Sequence, residues 1–134
     1  MGYGYRTSIL KRGDETAIVL SALLRLINST IEEVSVKIEE FSERRKTTQP
    51  PGASMGSMFK NPVGDHAGRL IEAAGLKGTR IGNAEISTVH GNFFINHGET
   101  RAEDVRALIR LAQKTVDEKF DINLELEVEL IGEW

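Results

Sequence analysis

The chain has 134 residues, 40% hydrophobic and 28% charged, a formal net charge of −3 and no cysteine. That describes one globular domain able to bury a core without staples, with no charge bias toward nucleic acid or an anionic membrane. Disulfides, thiolate catalysis and cysteine-ligated metals are excluded, and His66, His90 and His97 stand in no ligand-spaced motif, so no metal site is expected.

The chain opens on Met1-Gly2-Tyr3-Gly4-Tyr5-Arg6 and enters a strand-like run at once, as a cut through a larger protein would. Tyr5 to Leu10 and the almost continuously apolar Ala17 to Ile27 flank a charged turn, Lys11 to Glu15, and read as an antiparallel strand pair. No apolar run reaches the roughly eighteen residues a membrane span requires. Nor is there a basic-then-apolar signal pattern, so a cytoplasmic protein is expected.

Thr30 with Glu33 matches a capping box, and Ile31, Val34, Ile38 and Phe41 follow at helical spacing. The opposite side carries Glu32, Glu39, Glu43, Arg44 and Lys46, a solvated face. Pro50-Pro51 and Pro62 bracket a glycine-rich loop, Gly52 to Asn61, which could present Ser57, Lys60 and Asn61 to an anionic or polar ligand. Asp65 can cap a second helix with Ala67, Leu70, Ile71 and Ala74 inward and Gly75 just past its end.

A Gly-punctuated loop, Leu76 to Asn83, leads to short strands at Ala84–Ser87 and Asn92–Asn96, joined through His90-Gly91. Thr100 and Glu103 form another capping box before the longest amphipathic helix, which carries Val105, Leu108, Ile109, Ala112, Val116 and Phe120. Leu124 to Ile131 begins with strict apolar–acidic alternation, the pattern of a strand with one buried face. The fold class is α+β (mixed α/β), a small mixed sheet packed by about three helices.

Three groups could carry chemistry: Ser57 in the glycine-bounded loop, Arg6 in the first strand and Glu127 near the end of the last. Each has an ordinary structural reading beside it: a turn serine, a surface arginine, a solvating acid on an edge strand. There is no Gly-x-Ser-x-Gly elbow and no Gly-x4-Gly-Lys-Ser/Thr run, which argues against a serine hydrolase and a P-loop.

Five words in order change that balance: Gly4-Tyr5-Arg6-Thr7-Ser8; Arg44 to Pro50; Gly56-Ser57-Met58-Phe59-Lys60-Asn61-Pro62; Ala67 to Glu72 running into Gly75-Leu76-Lys77-Gly78 and Arg80-Ile81-Gly82; and Leu126-Glu127-Val128 through Ile131-Gly132-Glu133. Together they resemble the UDP-N-acetylenolpyruvoylglucosamine reductase (MurB) family of peptidoglycan synthesis, over essentially the whole chain. The resemblance implies that residues 1–28 end the FAD-binding region and residues 29–134 form the C-terminal UDP-sugar-binding domain. The family's N-terminal FAD-binding domain would be absent, so the isolated chain is expected to fold without turning over.

The implied reaction reduces UDP-N-acetylglucosamine enolpyruvate to UDP-N-acetylmuramate, with FAD and NADPH as cofactors of the complete enzyme. By the same resemblance, Ser57 is the proton donor. Arg6 and Glu127 stabilise the charge that builds on the enolpyruvyl carboxylate, Glu127 holding a proton in the assembled, dehydrated site. Asn61, Lys77 and His90 are implied contacts of the UDP part, and Tyr5 and Gly56 further substrate contacts. Asn83 departs from the family's usual glycine, and Glu129 stands where an arginine is usual. The second reading is a free-standing nucleotide-sugar-binding module without redox activity.

Overall fold

The computed structural model describes residues 2–13 and 16–132. Residues 1–40 and 41–134 form two compact units. In the first unit, the expected strand pair does not form. Gly4 and Thr7 close a tight turn through two backbone hydrogen bonds of 3.0 and 3.3 Å, and a short helix α1 (Ile9–Arg12) follows. The Ser8 hydroxyl caps it by accepting the Lys11 N–H at 3.2 Å. Part of the expected connection, Asp14 and Glu15, lies outside the described residues.

From Thr16 to Ser29 the chain is irregular, with Leu20, Leu23 and Ile27 more than 90% exposed. A two-stranded ribbon is marginal in water without a face to pack on, and among the described residues this run has no strand partner.

Helix α2 (Ile31–Thr48) starts where the capping box predicts. The Thr30 hydroxyl accepts the Glu33 N–H at 3.2 Å and the Glu33 carboxylate accepts the Thr30 N–H at 3.3 Å. Its apolar stripe is exposed: Ile31, Val34, Ile38 and Phe41 all remain solvent-accessible.

The second unit holds a four-stranded sheet in the order β1-β4-β3-β2, antiparallel throughout. Its strands are β1 (Ala53–Ser57), β2 (Arg80–Ile81), β3 (Ala84–Ile86) and β4 (Phe93–Asn96). The glycine-rich stretch read as a loop is therefore partly a strand. Pairing with β4 satisfies its backbone, which small side chains leave open to approach.

Helix α3 (Ala67–Ala73) precedes β2, and α4 (Ala102–Phe120) follows β4 and packs on β2, β3 and α3. Leu108, Ile109, Ala112 and Val116 of α4 meet Ile86, Phe94, Leu70, Ile71, Met58, Phe59 and Leu124 in one core. Each large side chain removed from water here contributes on the order of 1.5–3 kcal/mol. Phe59 and Phe94 pack edge to face, 6.2 Å apart. The Lys119 ammonium donates to the Ala74 carbonyl at 2.7 Å and ties the ends of α4 and α3 together.

Both later caps differ from expectation. Asp65 does not cap α3: its carboxylate accepts the His66 N–H, while Asn61 Oδ1 takes the Ala67 N–H at 3.1 Å. At α4 the box shifts by one residue. Asp104 accepts the Arg101 N–H at 3.2 Å, because the Thr100 hydroxyl is spent on the Asn83 carbonyl at 2.7 Å.

The last segment is not a full strand. Leu126 forms a single bridge with Phe59, and Glu125 and Glu127 add backbone bonds to Lys60 and Met58. Its alternation nonetheless buries the expected side: Leu124 is buried, and Leu126 and Val128 pack partly against the core.

Candidate functional site

The site is built where β1 leaves the sheet. Between the pairs Ser54–Ile95 and Ser57–Phe93, β1 advances three residues against two on β4. That extra residue is a β-bulge, and Gly56 occupies it with φ +86°, a conformation an L side chain resists. Bulges re-aim the side chain that follows, here Ser57.

Beyond Ser57 the segment Met58–Lys60 runs between two flanks. On one, the Met58 N–H donates to the Asn92 carbonyl at 2.9 Å. On the other, the Glu127 N–H donates to the Met58 carbonyl at 2.9 Å and the Lys60 N–H to the Glu125 carbonyl at 2.8 Å.

The second wall is the β3–β4 loop, residues 87–92. The buried Ser87 hydroxyl accepts the N–H groups of Val89 and His90 at 3.0 and 3.3 Å, folding the loop back. His90 Nδ1 accepts the Asn92 N–H at 3.2 Å, and the ring meets Phe93 edge-on at 5.0 Å. The loop lies close against α3: a Cβ at Gly91 would come 2.8 Å from the Gly68 carbonyl, and one at Gly68 would come 2.7 Å from His90 Cε1. Two glycines thus permit the approach of helix and loop.

Between these walls is a polar cleft of about 280 Å³. Ser57 and Asn61 line one side, His66, Arg69 and Glu72 of the α3 region another, and His90 and Asn92 the third. Arg69 donates from Nε to Asp65 at 2.6 Å and pairs with it again through a terminal nitrogen. These hydrogen bonds, with the His66 N–H, hold the Asp65 carboxyl down at about 2 from its ordinary 3.8.

Of the residues expected to act, Ser57, Asn61 and His90 therefore share one cleft. Lys77 reaches its rim through a 3.1 Å ion pair with Glu72. The half-buried Glu127 joins the same backbone at Met58, one residue from Ser57. Glu129 lines a separate apolar groove with Met58, Ile109 and Val128.

Arg6 is not in a strand. It sits in the Gly4–Thr7 turn with φ +54°, its guanidinium 5.8 Å from the Tyr5 ring centroid. Both belong to the first unit.

Sequence reasoning missed Asn92, Arg69, Glu72 and His66 as cleft residues. An amide opening an apolar strand, Asn92 before Phe93-Phe94-Ile95, was the readable signal for the first. Among the described residues no group of three or more histidine and acidic side chains could hold a metal, and no helix is long and apolar enough to cross a membrane.

The family model of the UDP-N-acetylenolpyruvoylglucosamine reductase C-terminal domain matches residues 47–131. The UDP-N-acetylenolpyruvoylglucosamine reductase of Chloroflexus aggregans is 49% identical over 98% of this chain and 45% of its own length. One of that name from Bacillus licheniformis is 46% identical over 99% of this chain and 72% of its own. Among solved structures, the crystal structure of UDP-N-acetylenolpyruvylglucosamine reductase from Thermus caldophilus has 46% identity and a TM-score of 0.66, covering 78% of this chain and 37% of that one. The chain thus spans about 45% of the length of the Chloroflexus relatives.

Proposed function

Because the chain belongs to the UDP-N-acetylenolpyruvoylglucosamine reductase family through that C-terminal domain, we propose that it supplies the substrate-binding and proton-donating part of an enzyme that reduces UDP-N-acetylglucosamine enolpyruvate to UDP-N-acetylmuramate for peptidoglycan precursors. The observation that carries the reading is the convergence of Ser57, Asn61 and His90 on one polar cleft. Residues 1–28 belong, in this proposal, to the flavin-binding region and residues 29–134 to the substrate domain.

Hydride would come from a flavin reduced by NADPH. The cleft of about 280 Å³ is at the small end of ligand pockets, of a size for part of a sugar nucleotide and not for a flavin dinucleotide. In this proposal the cleft is left to the substrate, and FAD is held by the family's flavin-binding domain, of which residues 1–28 would be the end.

What remains for this chain is binding, charge and one proton. Asn61 is suited to bind: its Oδ1 is committed to the Ala67 N–H, which aims the amide while leaving Nδ2 as a donor for a phosphate or sugar oxygen. Lys77 holds its charge at the rim through Glu72 and exchanges that carboxylate for the diphosphate. Ser57 gives its hydroxyl proton to the carbon next to the carboxylate. A serine is a weak acid, so this works only beside a strongly basic, enolate-like centre. Glu127 stabilises the carboxylate where that charge collects and Gly56 shapes the approach, while Arg6 and Tyr5, in the first unit, keep the carboxylate-stabilising and substrate-contact roles that the family resemblance implies.

Calorimetric titration with UDP-N-acetylglucosamine enolpyruvate tests the assignment. Loss of the Lys77 contact in Lys77→Ala should weaken binding about 10- to 100-fold, as a charge-assisted hydrogen bond implies. Ser57→Ala should leave affinity nearly unchanged, since its task is chemical. Equal affinity for Lys77→Ala and the parent chain at low salt would overturn the diphosphate assignment.

A further inference from the structure

Asn92 stands where the β1–β4 ladder ends, and its side chain continues that ladder. Its Oδ1 accepts the Phe59 N–H at 2.9 Å and its Nδ2 donates to the Phe59 carbonyl at 2.8 Å. The amide thus pairs both backbone groups of one residue, as another strand residue would. Its own carbonyl takes the Met58 N–H at 2.9 Å. At 3% exposure these bonds are made out of water, where an unmade one is costly. The Asn92 N–H, donated to His90 Nδ1, assigns the ring proton to Nε2.

We infer that Asn92 is the positioning residue of this cleft: its side-chain amide holds the backbone that aims Ser57, while its main-chain N–H fixes the tautomer of His90. This deepens the proposed function and rests on it for what the cleft binds. The geometric part does not. Only an amide suits the position: an aspartate would accept the Phe59 N–H but set an oxygen against the Phe59 carbonyl. A leucine of similar shape would leave both groups unpaired.

The absence of cysteine makes a clean test available, because Ser57→Cys introduces a single thiol at the site. In that background the rate at which iodoacetamide alkylates the introduced thiol is compared for Asn92→Ala, Asn92→Asp and a control, Leu108→Ala, that weakens the core at a residue not lining the cleft. Nitrogen-15 spectra of histidine-labelled chains report the His90 tautomer, and titration with UDP reports binding.

The expected result is His90 protonated on Nε2 in the parent chain. Both Asn92 variants should change the alkylation rate at least tenfold while keeping the His90 proton on Nε2, since each retains the main-chain N–H of residue 92, and the folded Leu108→Ala chain keeps both parental values. A parent His90 protonated on Nδ1 overturns the inference without any variant having to fold. So does an alkylation rate that Asn92→Asp leaves unchanged, or that Leu108→Ala moves as much. If both reporters behave as expected but UDP does not bind the parent chain, positioning stands and the nucleotide-sugar reading fails.

Discussion

Gly68→Ala puts a number on the contact between helix α3 and the His90 loop. The new Cβ would stand 2.7 Å from His90 Cε1 and 3.1 Å from Nδ1. Ordinary carbon contacts lie near 3.5–4.0 Å, so the ring must retreat by roughly 1 Å. The Nδ1 bond to the Asn92 N–H, already long at 3.2 Å, does not survive that, and the 5.0 Å edge contact with Phe93 is weakened. The hydrogen bond is worth about 1 kcal/mol and the aromatic contact about 0.5–1.5. Against this, alanine is a better helix former than glycine by up to about 1 kcal/mol, less in the first turn.

The net cost is therefore about 1 kcal/mol with the ring present. With His90→Ala the clash disappears and Gly68→Ala becomes neutral or stabilising by up to about 1 kcal/mol. The two changes couple by about 1–2 kcal/mol. Urea unfolding of the four chains, followed by circular dichroism, measures that coupling. Additive effects, with Gly68→Ala costing the same with and without the imidazole, would refute the reasoning.

Leu108 is fully buried in the core, and Leu108→Ala should cost about 2–5 kcal/mol by urea unfolding; a loss under about 1 kcal/mol would mean that α4 is not seated as described. Gly56→Ala meets no atom within 4 Å, so only backbone strain at φ +86° opposes it, about 1–2 kcal/mol. Gly56→Asn should recover part of that, and equal costs for the two would assign the loss to something other than backbone strain. Asp65 titrates near 2 in the folded chain and at its ordinary 3.8 when unfolded. Its depressed value means that its contribution to stability is complete above about pH 4 and is lost as the pH falls through about 2. Asp65→Asn should flatten the stability profile in that window, and a carboxyl midpoint near 3.8 in the folded chain, read from carbon chemical shifts, would contradict the Arg69 pairing.

The readable parts of this protein were those decided by neighbours in sequence. Thr30 and Glu33 announce a helix start because a capping box needs only four consecutive residues. The spacing of Leu108, Ile109, Ala112 and Val116 declares one face of α4 before any partner is known. Alternation in residues 124–128 similarly gives the buried side of that segment, and the five ordered words carry the family.

Other features needed contacts from afar. The apolar run 17–27 is strand-like in composition, yet a strand exists only where another backbone pairs with it, and among the described residues none does. Thr100 has the chemistry of a cap but spends its hydroxyl on Asn83, so the cap falls to the next residue. The cleft depends on distant meetings: Asn92 reaching Phe59 across 33 residues, and Gly68 and Gly91 letting a helix and a loop nearly touch. Propensity and periodicity act over one or two turns of chain and are written locally. A site is a set of distances between remote residues, and only packing sets those.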